Sequence, residues 1–141
     1  TMSIFLHKYQ GYLAGVMQWQ DLDAVWQAVL LKPDNWYVYA VGEAVPTAPV
    51  DSARLQHFIS EIDTLLHREH EHDYCGIVYV DDPAAPEFIK IYDPNNLGVV
   101  CGYSDSPPLP GWIMSRSEPV DLPQAFPPVA SRRRWWQKIF S

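Results

Sequence analysis

Three histidines and a cysteine lie close together in the middle of the chain. His67 and His70 are three residues apart, and His72 and Cys75 follow directly. Imidazole and thiolate groups are the ligands that tetrahedral zinc takes in proteins. The H-x-x-H-x-H-x-x-C spacing matches no strong zinc pattern. Zinc at this group is therefore one hypothesis, and no other cofactor is predicted. The candidate ligands are His67, His70, His72 and Cys75.

The same residues also have a purely structural interpretation. Histidines are favourable in the last turn of a helix, because a cation there complements the helix dipole. On the helix predicted over residues 51–69, His57 and His67 lie off the apolar face and His70 borders it. Cys75 would then be a small buried apolar residue. Under this interpretation the group stabilises the fold and binds nothing.

Carboxylates at predicted strand ends offer a second kind of chemistry. Asp73 and Asp93 are expected to share one end of the sheet, whereas Asp81 and Asp82 belong to a turn at the other end. Two carboxylates near a histidine can act in acid–base catalysis or bind a metal. Against catalysis, aspartate beside proline is common in turns, because its side chain bonds the backbone two residues on. The candidate catalytic residues are His70, His72, Asp73 and Asp93.

A nucleophilic Cys75 with a neighbouring histidine as its base is a weaker alternative. Reactive thiolates usually lie at a helix N-terminus or beside cations. Cys75 instead follows a helix and is surrounded in sequence by Glu69, Glu71 and Asp73, which would raise its pKa. The sequence also contains no glycine-rich phosphate loop, no G-x-S-x-G and no dinucleotide fingerprint. Nucleophilic catalysis is therefore disfavoured.

The last eleven residues, 131–141, form a basic-aromatic tail. They contain three consecutive arginines and Lys138 but no acid. If the tail is helical, its apolar side chains pair at i,i+4 on one face. That arrangement is typical of an interfacial anchor or of a helix that docks into a groove. The predicted partner-binding residues are Arg132, Arg133, Arg134, Trp135, Trp136, Ile139 and Phe140.

Charge restricts what the tail could contact. The formal charge is −7, but residues 1–130 contain only six Lys and Arg against 17 Asp and Glu, giving −11. An acidic body repels phosphate backbones, so nucleic acid is disfavoured as a partner. A protein partner, self-association or an anionic membrane surface is expected at the tail. The alternative is that the tail folds back onto its own acidic body.

Composition also bounds the compartment and the class of chain. With 48% hydrophobic and 19% charged residues, the 141 residues suit one packed domain. Two cysteines are too few for a disulfide scaffold, and no secretory signal is visible. No apolar run approaches the ~18–20 residues of a membrane span. We therefore expect a reduced, cytoplasmic setting.

Hydrophobic periodicity predicts two helices, over residues 21–31 and 51–69, with Asp21 and Asp51 as N-caps. The predicted strands cover 12–19, 36–41, 74–80, 87–92, 97–103 and 112–115. Residues 3–19 also have some apolar spacing typical of a helix, but Gly11 and Gly15 interrupt it, so the strand is favoured there. Connections between the later strands are too short for crossover helices, which indicates antiparallel pairing. The predicted fold is therefore α+β, with two helices packed on one face of a mainly antiparallel sheet of about five strands.

The predicted organisation is a globular domain over residues 1–116, a Pro-rich extended segment over 117–130 and the short amphipathic tail over 131–141. The function favoured by these observations is that of a small, non-catalytic protein-interaction domain, adaptor or regulatory, which contacts a partner through its tail. The alternative is a metal-dependent or acid–base enzyme centred on the region from His67 to Asp93.

Overall fold

A five-stranded antiparallel sheet organises the residues that the structure describes. The computed structural model describes residues 3–70, 72–95 and 109–126. Its strands are β1 (Ala14–Val16), β2 (Tyr37–Ala40), β3 (Val78–Val80), β4 (Phe88–Ile91) and β5 (Trp112–Ser115). Its helices are α1 (Ile4–Gln10), α2 (Trp19–Leu31), α3 (Ser52–Glu69) and α4 (Leu122–Ala125). The predicted α+β class is confirmed.

The strands are arranged in the order β1-β3-β4-β5-β2, and every neighbouring pair is antiparallel. β4 is therefore the central strand, and β1 and β2 are the edges. The hairpin of β3 and β4 follows from its short connection. The pairs β1–β3 and β2–β5 join segments far apart in the sequence. The predicted strand over 97–103 lies outside the described residues.

Helices α2 and α3 cover one face of the sheet, as predicted. Apolar residues of both helices share one buried cluster with Val78, Ile89 and Met114 of the strands. The Asp51 carboxylate accepts a hydrogen bond from Arg54 N at 2.8 Å, which confirms the predicted N-cap of α3. No helix of the described residues is both long and apolar enough to cross a membrane.

The opposite face of the sheet carries a second core that the sequence did not predict. Five side chains are completely buried there: Phe5, Tyr39, Phe88, Ile113 and Leu122. Helix α1 supplies the first of them and α4 the last. Leu122 N donates to the Tyr39 hydroxyl at 3.2 Å, which anchors α4 to β2. The sheet is therefore covered on both faces within the described residues.

The first twenty residues differ most from the prediction. The strand expected over 12–19 is only the three residues of β1, and α1 precedes it. Ser3 caps α1 by accepting from Leu6 N at 3.1 Å, and Gly11 ends it. α2 begins at Trp19, so Asp21 lies in its first turn and Gln18 is the N-cap. At seven residues α1 is too short to give a periodic signal.

Two other predicted segments are changed by local backbone geometry. β3 begins at Val78 instead of residue 74, because Gly76 has a φ of +70°, which an extended strand does not allow. The Pro-rich segment over 117–130 contains α4, where the Asp121 side chain accepts from Gln124 N at 3.0 Å. Proline at the first turn of that helix needs no N–H partner, so the segment tolerates it.

Candidate functional site

His70 lies at the centre of the histidine group, and its ring forms a hydrogen bond with the backbone. It follows α3 directly and is only 7% exposed. Its Nε2 lies 2.8 Å from the carbonyl oxygen of Cys75. A carbonyl only accepts, so Nε2 carries a proton and donates it. This hydrogen bond joins the end of α3 to the chain that enters β3.

The neighbouring histidines are stacked with aromatic rings. The rings of Trp19, His67, His70, His72 and Tyr74 form what we call the imidazole cluster. Trp19 stacks on His67 with 4.1 Å between ring centroids, and its Nε1 donates to the His72 carbonyl at 3.1 Å. His72 stacks on Tyr74 at 5.5 Å. Through Trp19, α2 therefore stabilises the turn between α3 and β3.

Cys75 is buried and held by its backbone. Its side chain is completely inaccessible, and its N–H donates to the Met17 carbonyl at 2.7 Å. Burial raises the pKa of the Cys75 thiol, although the nearby amides of Ile77 and Val78 oppose the shift. The thiol is therefore protonated at neutral pH, which is unfavourable for a nucleophile.

Metal chemistry gains no geometric support from the part of the chain that the structure describes. Within it, no three side chains of His, Cys, Asp or Glu converge as they would around a metal ion. His67 instead lies 3.5 Å from the Asp63 carboxylate, which also accepts from Trp26 Nε1 at 3.1 Å.

Replacing His70 with alanine is expected to lower the free energy of unfolding by about 2 kcal/mol. The substitution leaves the Cys75 carbonyl without its donor and opens a space inside the imidazole cluster. Urea unfolding at neutral pH measures the change, with His57→Ala on the exposed face of α3 as the matched control.

Stoichiometric zinc would contradict this structural role. Elemental analysis of protein purified without a histidine tag provides that test. Zinc bound to the wild type and lost in His70→Ala would establish the metal site in its place.

Asp81 fixes the connection between β3 and β4. Its carboxylate accepts from Glu87 N at 3.0 Å and Phe88 N at 3.1 Å, and from Lys8 Nζ at 2.9 Å. Burial alone would raise the pKa of Asp81, but these donors together lower it below its usual value. Asp82 accepts from Ala84 N at 3.0 Å, as in an ordinary turn. Both aspartates serve the turn, as their sequence context predicts.

The two remaining candidate carboxylates do not join the histidines in a cleft. Asp93 accepts from Asn95 N at 2.9 Å and lines a cleft of about 400 Å³ with Glu43 and Gly111. Asp73 is exposed in the turn that follows α3. Four surface clefts of about 340 to 670 Å³ lie among the described residues, and none of these four is lined by the imidazole cluster. None of these four clefts joins the imidazole cluster to Asp93.

Lys90 forms a further cluster that sequence patterns did not reveal. Its Nζ lies 5.1 Å from the ring centroid of Tyr9 and 5.6 Å from those of Tyr79 and Tyr92. Burial lowers the pKa of Lys90 and raises that of Tyr9 to about 12. Tyr79 and Lys90 are cross-strand partners, so strand alternation could have paired them. The role of Tyr9 depends on α1, which the sequence did not predict.

No family model, curated protein or solved structure matches the chain. The fold and the side chains described above define a small α+β domain in which His70, Cys75 and Asp81 are bonded to backbone or buried.

Proposed function

We propose that this protein is a non-catalytic protein-interaction domain, adaptor or regulatory in role, which contacts a partner through its basic-aromatic tail. One observation carries the non-catalytic part of the proposal. The His70 Nε2–H is used by the Cys75 carbonyl at 2.8 Å, and the His70 ring is itself buried. A general acid or base must instead reach a substrate. A reduced, cytoplasmic setting belongs to the same proposal, and the free, buried thiol of Cys75 supports it.

The tail residues lie outside the described residues, so their support comes from sequence. Arginine binds carboxylates through two parallel hydrogen bonds, and tryptophan supplies large apolar area at the centre of interfaces. The partner surface that fits the tail is acidic and contains an apolar pocket or groove. The proposed contact residues are Arg132, Arg133, Arg134, Trp135, Trp136, Ile139 and Phe140.

An enzyme centred on the region from His67 to Asp93 has less support. The imidazole cluster lines none of the four clefts described above, and Asp93 lines one of them without it. Small-molecule sites are usually concave clefts with converging polar groups. The interaction proposal needs no such convergence.

Quantitative affinity capture from cells that express the chain tests the proposal. The bait is the full chain, compared with the double variant Trp135→Ala/Trp136→Ala. We expect the captured amount of one specific protein to fall at least about 30-fold with the double variant. Truncating a tryptophan buried in an interface commonly costs about 2 kcal/mol or more of binding free energy. Leu31→Ala, at a side chain that is 82% exposed on α2, is the matched control.

The same variants distinguish the other expected contacts of the tail. Cosedimentation with vesicles that contain phosphatidylserine, at low and high salt, reports membrane binding. Vesicle binding that needs the two tryptophans, without capture of a protein, would replace the proposed partner with a membrane surface. An identical set of captured proteins for both baits would contradict a role for the tail.

A further inference from the structure

The edge strand β1 is only three residues long, and neither it nor its flanking residues carry the charges or prolines that usually block pairing. Natural edge strands usually carry a lysine, a proline or a bulge that prevents pairing with another chain. From Tyr12 to Met17 the sequence Tyr-Leu-Ala-Gly-Val-Met has no charge and no proline. The opposite edge is different, because Val50 N donates to Trp36 O beside β2 at 2.9 Å. Within the described residues, β1 is thus the edge that is open to pairing with another segment.

Exposed apolar side chains lie beside this edge, before and after β1. Three of the five large apolar side chains that are exposed in the described residues belong to it: Tyr12 at 87%, Met17 at 52% and Tyr74 at 48%. At one end, the position of a Cβ on Gly76 would be 3.1 Å from the Tyr74 ring and 4.0 Å from Met17 Cε. The absence of that Cβ lets Met17 and Tyr74 lie together. We call Tyr12, Met17 and Tyr74 the edge stripe.

The last described segment ends at Phe126, which packs against α1. The Phe126 ring lies 5.4 Å from the ring of Tyr9, on the last turn of α1. β1 begins five residues after Tyr9. Residues 127–141 follow Phe126, and 15 residues can extend over roughly 50 Å. The tail therefore has enough length to reach the edge stripe of its own chain.

The charge and the apolar side chains of the tail are complementary to its own domain. The tail carries four positive charges and no acid, whereas residues 1–130 carry −11. A long-range attraction thus favours contact between the tail and its own domain. Repulsion between two acidic bodies correspondingly disfavours a second copy of the domain at the same edge. The tryptophans of the tail supply the apolar area that would cover the edge stripe.

We propose that the tail, residues 131–141, covers the β1 edge of its own chain, with Trp135 and Trp136 on the edge stripe. The edge and the external partner then compete for the same side chains. This regulatory consequence rests on the proposed partner function, whereas the contact itself does not. Release of the tail exposes both the tryptophans and an edge strand to which a partner could add.

Hydrogen–deuterium exchange on the purified full chain tests the contact without any partner. The measured quantity is the exchange rate of the amides from Leu13 to Val16. We expect Trp135→Ala/Trp136→Ala to accelerate exchange there about tenfold, while the amides of α3 keep their rates. Met17→Lys, at an exposed site that tolerates charge, is expected to give the same acceleration without altering the tail. Leu31→Lys, at an exposed side chain near the end of α2, is the control that leaves β1 unchanged.

Two results would overturn the proposal. Unchanged exchange of β1 in the double tryptophan variant would mean that the tail does not cover the edge. Acceleration that disappears on tenfold dilution would assign the cover to the tail of another copy. Either result leaves the capture experiment intact, and loss of partner capture alone leaves the edge contact intact.

Discussion

Replacing Phe5 with alanine is expected to lower the free energy of unfolding by about 4 kcal/mol. Phe5 is completely buried and lies 5.3 Å from the ring of Phe88 and 6.4 Å from that of Tyr39, between ring centroids. No other part of α1 is fully buried. The substitution therefore removes the anchor of the helix and leaves a cavity on the second face of the sheet. A loss of this size is a large fraction of the stability of a small domain.

Chemical unfolding of Phe5→Ala beside Ile4→Ala measures this effect. Ile4 is the preceding residue on the same helix but is 71% exposed, so its truncation is expected to cost less than about 0.5 kcal/mol. Similar losses for the two variants would contradict the second core. Lower unfolding cooperativity in Phe5→Ala, with α3 still protected from hydrogen exchange, would show that α1 detaches first.

Replacing Asp81 with alanine is expected to lower the free energy of unfolding by about 3 kcal/mol at neutral pH. The Asp81 side chain is only 12% exposed and bonds two amides of the β3–β4 connection. Its removal leaves those donors and the Lys8 ammonium without their acceptor. Asp82→Ala is the matched control, because that neighbouring carboxylate is exposed and bonds a single amide.

The difference in the free energy of unfolding between wild type and Asp81→Ala is expected to depend on pH. The pKa of Asp81 is lowered in the folded state, so its stabilising effect is present above the unfolded value of about 3.9. It is lost as the pH falls through the folded value. The pKa of Lys8 is raised, chiefly by its hydrogen bond to Asp81, so that contribution is lost as the pH rises above about 10.5.

Unfolding experiments at pH 3, 7 and 11 measure these two limits. We expect the largest difference between wild type and Asp81→Ala at pH 7, and smaller differences at both extremes. A difference that is constant across this range would show that the carboxylate acts without its charge. A loss at pH 7 no greater than that of Asp82→Ala would contradict the bonding described for Asp81.

The elements that were predictable have long or local signals. Helix α3 was predictable because its apolar residues repeat over 18 positions and Asp51 supplies the cap. The β3–β4 hairpin was predictable because its connection is short. Helix α1 was not predictable, because it has only seven residues before Gly11 ends it, and so short a segment shows no clear hydrophobic period. The pairing of β1 with β3 was also beyond local patterns, because it joins residues more than sixty positions apart.

The candidate site was predictable in composition but not in geometry. The histidines were identified as neighbours, and four of the five rings of the imidazole cluster come from one short segment, residues 67–74. The fifth, Trp19, comes from α2, and no local pattern indicates that it stacks on His67. Whether the histidines bind a metal, act in catalysis or form hydrogen bonds with the backbone depends on the direction of each ring nitrogen. That direction is set by tertiary packing, which spacing alone does not specify.

Photo-crosslinking in living cells tests the central claim, that the tail and not the imidazole cluster meets the partner. A photoreactive phenylalanine replaces Trp136 in one strain, His72 in a second and Leu31 in a third. We predict a discrete crosslinked protein at position 136 and none at position 72 or 31. A crosslinked partner or substrate at position 72 with none at 136 would contradict the account.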